Sequence, residues 1–477
     1  MDVRLSGTPS NSGGIAAKLA IGALLAAAVL APGAFWAPYW RIVATVLFAG
    51  LLLLAGRTLV ASFLGFRRPA DPPAKPDSVE WPTVTILVPA YNEANVLPRS
   101  MASLRHLDYP RDRLEFVYVF EGKSTDGTGQ VIRRFAEGDS RYVILERRNA
   151  RPGKAAAVND ALPHCTGELL IGLDADQALK PDAVQRVARW FLADPTLACV
   201  KARPIGINAS ESSLALVSTL ERDSIERGDT YLRELTGGFT FFGGGQVAFR
   251  RSLFTSLGGF DEEMLLEDID YSVKIHAAGH RIKVDLGFIT YEEHPAGLRA
   301  WWGQRLRWVR GGMQVARRYM GRSLGMPRLR LSTRLDLAYT LTLSIVSAGF
   351  VLLTPLGLMG LFGLQTATYL PPGWEGMGWG FVAGAPVVNW ICMWLQDRRQ
   401  GIHHSPREWL GLPFVGYYLA AQALLYASAF LDEFVLNRPS VFVKTAKTGQ
   451  LPKPARFLRP VPALEVLAAV ETGDEKI

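Results

Sequence analysis

The feature that most constrains the fold is a short apolar run that ends directly in two carboxylates. Residues 169–173 read Leu-Leu-Ile-Gly-Leu and are followed by Asp174, Ala175 and Asp176. Because helix-like sequence follows, the run predicts a buried strand of an α/β sheet. Ligands of such sheets bind at the carboxyl ends of strands, where both carboxylates are expected. Hard oxygen anions at this spacing suit Mg²⁺ or Mn²⁺ holding a diphosphate, although a lone Asp-x-Asp is more often a polar loop.

The same order of strand, polar loop and helix occurs before this run. Strands are predicted at 83–88, 115–120 and 142–146, and the loops after the first two contain 89–93 and 121–128. These loops fall at the strand ends where a nucleotide would bind, although each could be only a turn and a helix start.

Lys154 follows Gly153 at the start of another predicted helix. By itself this is a solvated helix beginning, but a cation at a helix N-terminus is also placed to meet a diphosphate. The stretch is not a P-loop, because the Gly-x-x-x-x-Gly-Lys-Ser/Thr pattern is absent from the sequence.

An acidic pair and a run of glycines follow. Residues 243–245 are all glycine, which indicates a close approach of the backbone to a neighbour. Glu267 and Asp268 lie in an acidic patch at the start of a helix predicted at 271–278, where acidic residues complement the helix dipole. Asp268 has a second interpretation as a general base that accepts a proton from a hydroxyl group.

Gln304, Arg307 and Trp308 lie in a stretch of alternating basic and aromatic residues, 301–319. This composition by itself predicts an amphipathic helix on an anionic membrane surface.

Long apolar runs flank the central region, at 15–30, 42–64, 335–364 and 379–395. The net charge is +8, and arginines crowd beside these runs. That arrangement is typical of the cytoplasmic flanks of membrane spans rather than of a nucleic-acid-binding face. Three scattered cysteines predict neither a disulfide framework nor a zinc site. We therefore expect a multi-pass protein of the cell membrane with a cytosolic central domain and no nucleic-acid partner.

In this order, the motifs resemble those of membrane-integrated family 2 glycosyltransferases of the cellulose, chitin and hyaluronan synthase type. The resemblance covers residues 83–308, with a shorter match at 442–447. It implies an α/β fold: a Rossmann-like GT-A domain in the cytosol, inserted between α-helical transmembrane segments. It also implies inverting, metal-dependent transfer from a nucleotide-diphosphate sugar.

The resemblance assigns roles to residues of this sequence. The nucleotide-sugar would contact Pro89, Tyr91, Glu93, Glu121, Lys154, Asp174 and Arg307. Asp176, with Asp174, would bind Mg²⁺ or Mn²⁺, and Asp268 of the Glu267-Asp268 pair would be the base. Gln304 and Trp308 would bind the acceptor. A gating loop over the donor would contain Phe442, Thr445 and Lys447.

Two positions depart from the family pattern. Glu121-Gly122 stands where an Asp-Asp pair is usual, which makes uracil a less certain nucleobase. Lys444 replaces a valine of the gating loop.

The run at 409–434 is long enough to span a membrane, but a single crossing would put the loop on the wrong face. Either this run is interfacial or re-entrant, which we favour, or 335–364 crosses twice, or the loop match is accidental.

These patterns divide the chain into six parts. They are a transmembrane hairpin (1–66), a linker (67–82), a GT-A domain (83–300), amphipathic interface helices (301–334), transmembrane or interfacial helices (335–436), and a basic cytosolic loop and tail (437–477).

Two activities remain open for this arrangement. One is extension of a β-linked polysaccharide at the membrane, which the motifs at 304–308 and 442–447 favour. The other is transfer of a single sugar to a lipid or lipid-linked acceptor, which the small number of spans favours. An inactive membrane scaffold is improbable, because the expected lysine, arginine and carboxylates are all present.

Overall fold

The computed structural model describes residues 18, 20–25, 27–28, 31–36, 38–148, 151–349, 368–402, 404, 406–439, 447 and 449. Within these residues the central domain is built on one eight-stranded mixed sheet, in the order β3-β2-β1-β4-β7-β6-β8-β5. The strands are β1 (Val84–Ala90), β2 (Leu114–Glu121), β3 (Tyr142–Arg147), β4 (Leu169–Gly172), β5 (Ala178–Leu179), β6 (Cys199–Gly206), β7 (Val247–Arg250) and β8 (Ile282–Glu292).

Strands β1 to β4 run parallel, whereas β7 is antiparallel to both of its neighbours. The strand predicted at 169–173 is present as β4, Leu169–Gly172. Strands β6 and β8 are parallel, and β5 pairs antiparallel with β8. Because β1, β2 and β4 are parallel neighbours, the loops that follow them emerge at the same edge of the sheet.

Helices cover both faces of the sheet. The α-helices of the described domain are α1 (Pro38–Leu64), α2 (Leu97–Arg105), α3 (Thr128–Ala136), α4 (Lys154–Ala161), α5 (Ala183–Ala193), α6 (Ser213–Ser224), α7 (Tyr231–Thr236), α8 (Arg251–Ser256), α9 (Glu267–Ala277), α10 (Leu298–Tyr319), α11 (Leu331–Val346), α12 (Pro372–Arg399) and α13 (Val415–Phe430), beside a one-turn helix, Pro32–Phe35. Two π-helical segments, Ile225–Thr230 and Leu431–Val435, extend α6 and α13.

Two apolar clusters pack on opposite faces of the sheet. Ile86 and Phe116 point into one cluster, and Leu87 and Val117 point into the other. Alternate residues of a strand face opposite sides, so strands covered on both faces are apolar throughout. This burial holds the strand ends, and the loops that follow them, in fixed relative positions.

Two helices of the described residues are long and apolar enough to cross a membrane, Arg41–Leu64 within α1 and Gly373–Arg399 within α12. The predicted spans at 15–30 and 335–364 lie partly outside the described residues. Multiple crossings therefore stay a prediction.

The run at 409–434 forms a 3₁₀ segment, Pro406–Phe414, followed by α13 and the second π-helical segment. Tyr418 of α13 accepts a hydrogen bond from Trp301 of α10 at 3.1 Å and donates one to Glu221 of α6 at 2.7 Å. These contacts join α13 to α10 and α6, and the interfacial or re-entrant arrangement of 409–434 stays a prediction.

Candidate active site

The loops after β1 and β2 are joined by hydrogen bonds. Thr128 Oγ1 accepts the Glu93 amide proton at 2.8 Å, and Asn92 Oδ1 accepts the Thr125 amide proton at 2.8 Å. Asn92 has a φ of 53°, in the left-handed region that few residues other than glycine adopt. These contacts hold the two expected nucleotide loops as one wall of the site.

Pro89 lies within β1, and Tyr91 follows the end of this strand. Burial raises the pKa of the Tyr91 hydroxyl, and the nearby Glu121 carboxylate raises it further. Glu121 ends β2 and forms an ion pair with Arg147, at the end of β3. The structure therefore brings Tyr91 and Glu121 together, but Glu121 is bound by an arginine that the sequence did not indicate.

Asp174 lies just beyond β4 and forms an ion pair with Lys154, the first residue of α4. Burial opposes ionisation of the Asp174 carboxyl, but Lys154 and Lys447 outweigh it and lower its pKa. Conversely, burial would lower the pKa of Lys154, and Asp174 and Glu267 raise it. The structure thus places a charged lysine against the first of the two carboxylates.

Asp176 is 2 % exposed and forms an ion pair with Lys447. The backbone oxygen of Lys447 accepts a hydrogen bond from Asn95 Nδ2 at 2.8 Å, so this residue rests against the loop after β1. Lys447 is thus the one residue of the expected gating loop whose position is described; Phe442 and Thr445 lie outside the described residues.

Glu267 and Asp268 begin α9, close to Lys154 and Arg307. Asp268 accepts hydrogen bonds from the backbone amides of Gly244 and, at 2.7 Å, Ile269. Burial and repulsion by Asp268 raise the pKa of Glu267 to about 7, and burial also raises the pKa of Asp268. Two adjacent buried carboxyl groups therefore share the site, and one of them is positioned by backbone donors.

Helix α10 carries Gln304 and Trp308, which are expected to bind the acceptor, and Arg307, which is expected to contact the nucleotide-sugar. Burial lowers the pKa of the Arg307 guanidinium, while Glu267 and Asp174 oppose this effect from the site. The Trp308 ring lies 4.6 Å from the Arg305 guanidinium. Gln304 Oε1 is buried and accepts no hydrogen bond from the described residues, so it is free to bind a hydroxyl group.

The structure also shows polar residues that the sequence analysis missed. Gln177 Oε1 accepts the Asp174 amide proton at 2.9 Å, and its Nε2 donates to Glu292 at 3.2 Å. Arg99 contacts both Glu293, at 2.6 Å, and the Asp176 backbone oxygen, at 3.2 Å. Glu292 is the last residue of β8 and Glu293 follows it, so a strand end with two adjacent glutamates is the signal that could have indicated them.

Two of the glycines at 243–245, Gly244 and Gly245, approach Asp174 closely, whereas Gly243 does not. A Cβ atom on Gly245 would lie 2.6 Å from the Asp174 backbone nitrogen, whereas one on Gly243 would lie 4.0 Å from its nearest neighbour, the Arg222 guanidinium.

We expect Gly245→Ala to displace Asp174 and lower sugar transfer at least about tenfold, because a contact of that length cannot persist without backbone movement. Transfer assays should compare this variant with Gly243→Ala, which is expected to stay within about threefold of the parent. Equal losses in the two variants would contradict this account of Gly245.

The pH dependence of transfer should have an acidic limb near neutrality, because the Glu267 pKa is raised to about 7. Below that pH the Glu267-Asp268 pair takes up a proton, so the base is blocked and the rate falls by up to about tenfold per pH unit. Glu267→Gln removes one like charge and should move the limb to lower pH. A pH–rate profile that is unchanged in this variant would contradict the coupling.

The site's carboxylates fit a divalent cation bound together with its ligand. Asp174 and Asp176 offer oxygen ligands, and the described residues contain no group of three or more His, Cys, Asp or Glu side chains arranged around a metal position. Mg²⁺ is usually held by one or two carboxylates and completes its coordination with phosphate oxygens and water. This donor set suits Mg²⁺ or Mn²⁺ better than zinc.

The mixed sheet and the helices packed on its faces form a GT-A-like α/β fold. Residues 85–258 match the family model described as Glycosyl transferase family 2.

The curated relatives include the probable glycosyltransferase YdaM of Bacillus subtilis, which is 29% identical over 254 residues, or 53% of this chain and 60% of YdaM. A poly-beta-1,6-N-acetyl-D-glucosamine synthase of Staphylococcus epidermidis is 28% identical over 249 residues, or 52% of this chain and 59% of the synthase. The match therefore spans less than two thirds of the length of either relative.

Among solved structures, the chain is similar to a mannosyltransferase from Pyrobaculum calidifontis in complex with GDP-Man and Mn²⁺, with a TM-score of 0.47, 25% identity, and coverage of 73% of this chain and 97% of that chain. It is also similar to S. aureus TarS 1-349 in complex with UDP-GlcNAc, with a TM-score of 0.41, 15% identity, and coverage of 79% of this chain and 99% of that chain. Both TM-scores are below 0.5, so the fold assignment rests on the sheet and on the family match.

Proposed function

We propose that this protein is an inverting glycosyltransferase that moves a sugar from a nucleotide-diphosphate sugar, a UDP-sugar, to a growing β-linked polysaccharide at the membrane. The observation that carries the proposal is the convergence of Lys154, Asp174, Asp268 and Arg307, which come from four separate elements. Such a site can bind a diphosphate and deprotonate a hydroxyl group within one small volume.

In the proposed reaction, Asp268 accepts the proton of an acceptor hydroxyl group as its oxygen attacks the anomeric carbon. The bond from that carbon to the diphosphate breaks on the opposite face, which inverts the configuration. Lys154 and Arg307 would neutralise the departing diphosphate. One base is therefore enough, whereas glycoside hydrolysis needs two opposed carboxyl groups.

Asp176 and Asp174 would hold Mg²⁺ or Mn²⁺, which supplies charge neutralisation of the diphosphate when bound. In the structure the two carboxylates are paired with Lys447 and Lys154. We infer that these lysines transfer their contacts to the diphosphate when the donor and its cation bind, because each ammonium group would then face a new anion.

Lys447 supports the proposed gating role of residues 442–447. Its ammonium group is at the expected donor site, and the Gly449 amide donates to Glu293 at 3.4 Å. Lys447 and Gly449 therefore lie on the same side of the domain as the expected donor site, which would be the cytosolic side.

Two observations support a glycan acceptor: the side chains of α10 and the name of one relative. Gln304 Oε1 accepts no hydrogen bond within the part of the chain that the structure describes, and Trp308 offers an aromatic surface for a sugar ring. The S. epidermidis relative is named as a poly-beta-1,6-N-acetyl-D-glucosamine synthase, which supports a polymeric product.

A second candidate function is transfer of one sugar to a lipid or lipid-linked acceptor. It is favoured by the presence of only two candidate spans, Arg41–Leu64 and Gly373–Arg399, among the described residues. A channel for a glycan needs more helices to enclose it.

Product length separates these two functions. The purified full-length protein should be incubated with a panel of nucleotide sugars, with Mg²⁺ or Mn²⁺, and with membranes. A ladder of products that lengthens with time is expected. A single-sugar product at every time would favour the second function, and no turnover of any nucleotide sugar would contradict both.

A further inference from the structure

The domain-side ends of α1 and α12 lie beside each other. A Cβ on Gly378 would lie 2.7 Å from the Phe48 ring, and Ser62 Oγ donates to Asn389 at 2.8 Å. The contacts advance in the same direction along both helices, so α1 and α12 are parallel. Near their ends, the Arg399 guanidinium lies 5.0 Å from the centre of the Phe66 ring.

Helix α11 runs antiparallel to α1, and the first residue of α11 lies at nearly the same level as the last residue of α1. Arg57 pairs with Asp336 at 3.0 Å, and a Cβ on Gly349 would lie 3.9 Å from Leu47. At 1.5 Å per residue, Leu331 lies about 7.5 Å before Asp336 along α11, and Leu64 about 10.5 Å beyond Arg57 along α1. The start of α11 is therefore within about one helical turn of the level at which α1 ends.

Six exposed arginines surround these three helix ends, and we call them the basic collar. They are Arg67, Arg68, Arg328, Arg330, Arg398 and Arg399. Among the ion pairs of the described residues, only Arg68 of the collar has a carboxylate partner, Asp71, at 4.0 Å. The nearby acids are used elsewhere: Asp336 pairs with Arg57 and Arg233, and Asp397 pairs with Arg203. The collar therefore presents a net positive surface.

Exposed leucines lie within the same surface. Leu324, Leu331 and Leu335 are 57%, 69% and 55% exposed. Arg334 holds the segment between them in place, since its guanidinium donates to the backbone oxygens of Leu329 at 2.9 Å and of Pro327 at 3.1 Å. The leucines and the collar arginines are thus presented together by an ordered segment.

We propose that the basic collar, with these leucines, binds anionic phospholipid headgroups. Apolar side chains that insert between acyl chains beside arginines that meet phosphates are the combination that an anionic bilayer surface attracts. A nucleic acid or an acidic protein would match the charge but would leave the exposed leucines uncovered. The proposal rests on the proposed membrane location of α1 and α12, but not on the identity of the sugar or on processivity.

The test uses the full-length protein in a neutral detergent, with phosphatidylglycerol or phosphatidylcholine of the same acyl chains, and counts retained lipids by native mass spectrometry. Phosphatidylglycerol should be retained at least about fivefold more tightly than phosphatidylcholine. Arg328→Gln with Arg330→Gln should reduce this preference at least about fivefold, and lysine at both positions should restore most of it.

The matched control is Arg111→Gln with Arg134→Gln, two exposed arginines on the part of the domain that carries β2 and β3. An equal loss of preference in this control, or an unchanged preference in the collar variant, would overturn the proposal. So would retention of a single-stranded oligonucleotide in preference to lipid. Sugar transfer by the parent protein and by the same variants, in phosphatidylcholine, is a separate readout. An absence of transfer in the parent protein would count against the proposed function and not against lipid binding.

Discussion

Asp268→Asn is expected to lower sugar transfer by at least ~10²-fold while nucleotide-sugar binding is retained. The substitution keeps the shape of the side chain but removes the group that accepts the proton. The hydrogen bonds that Asp268 receives from Gly244 and Ile269 position its oxygens. Single-turnover transfer should be measured together with equilibrium binding of the nucleotide sugar. Transfer within a few-fold of the parent would remove Asp268 as the base.

Glu267→Gln is the matched control for Asp268→Asn. Both residues are at the start of α9, and burial raises the pKa of each. The control should lower transfer much less at pH 8, where the parent pair is ionised. A larger loss in Glu267→Gln than in Asp268→Asn would mean that Glu267 is the base, since the geometry places both carboxyl groups near Lys154.

Asp176→Asn is expected to abolish detectable turnover and metal-dependent binding of nucleoside diphosphate. Asp176 is almost fully buried, and the backbone around it is held by Arg99. An amide of the same shape should preserve the fold but binds a hard divalent cation far more weakly than a carboxylate. Calorimetric titration with UDP, with and without Mn²⁺, should show the loss directly. Retained Mn²⁺-dependent binding in this variant would rule out Asp176 as a ligand.

Asp182→Asn is the control, because it removes a carboxylate that, like Asp176, lies next to β5 in the sequence. Asp182 pairs with Lys180 at 2.9 Å, and its side chain is 47% exposed. Surface ion pairs contribute about 0–1 kcal/mol, so this variant should keep both its stability and its turnover. Thermal unfolding of both variants would show whether the effect of Asp176→Asn is local.

The strand that precedes Asp174 could be predicted from sequence because its signal is local. The four residues of β4 lie between two neighbouring strands, and none of them is polar. The strand-loop-helix order also predicted an α/β domain, and the family match over 85–258 confirms this class. The polar residues that come after each strand can be read directly from the sequence. The edge of the sheet that carries the site was therefore predictable.

Which residues meet at that edge was decided by the tertiary structure. Glu121 meets Arg147, and Gln177 meets Glu292, because the order of strands brings distant segments together. Sequence spacing carries no information on such pairs when each residue has an ordinary local explanation. The roles assigned to Tyr91, Trp308 and the other site residues remain predictions for the experiments above.

The sequence by itself determined the apolar runs, the strands and the polar loops, because burial and periodicity are local properties of the chain. Only the tertiary structure decided that Lys447 pairs with Asp176, far away in the chain, and that Arg57 of an apolar helix pairs with Asp336. A buried charge is stable only with a partner, and that partner is chosen by packing over long distances. The ion pairs that join α1, α11 and the domain are therefore visible only in the folded protein.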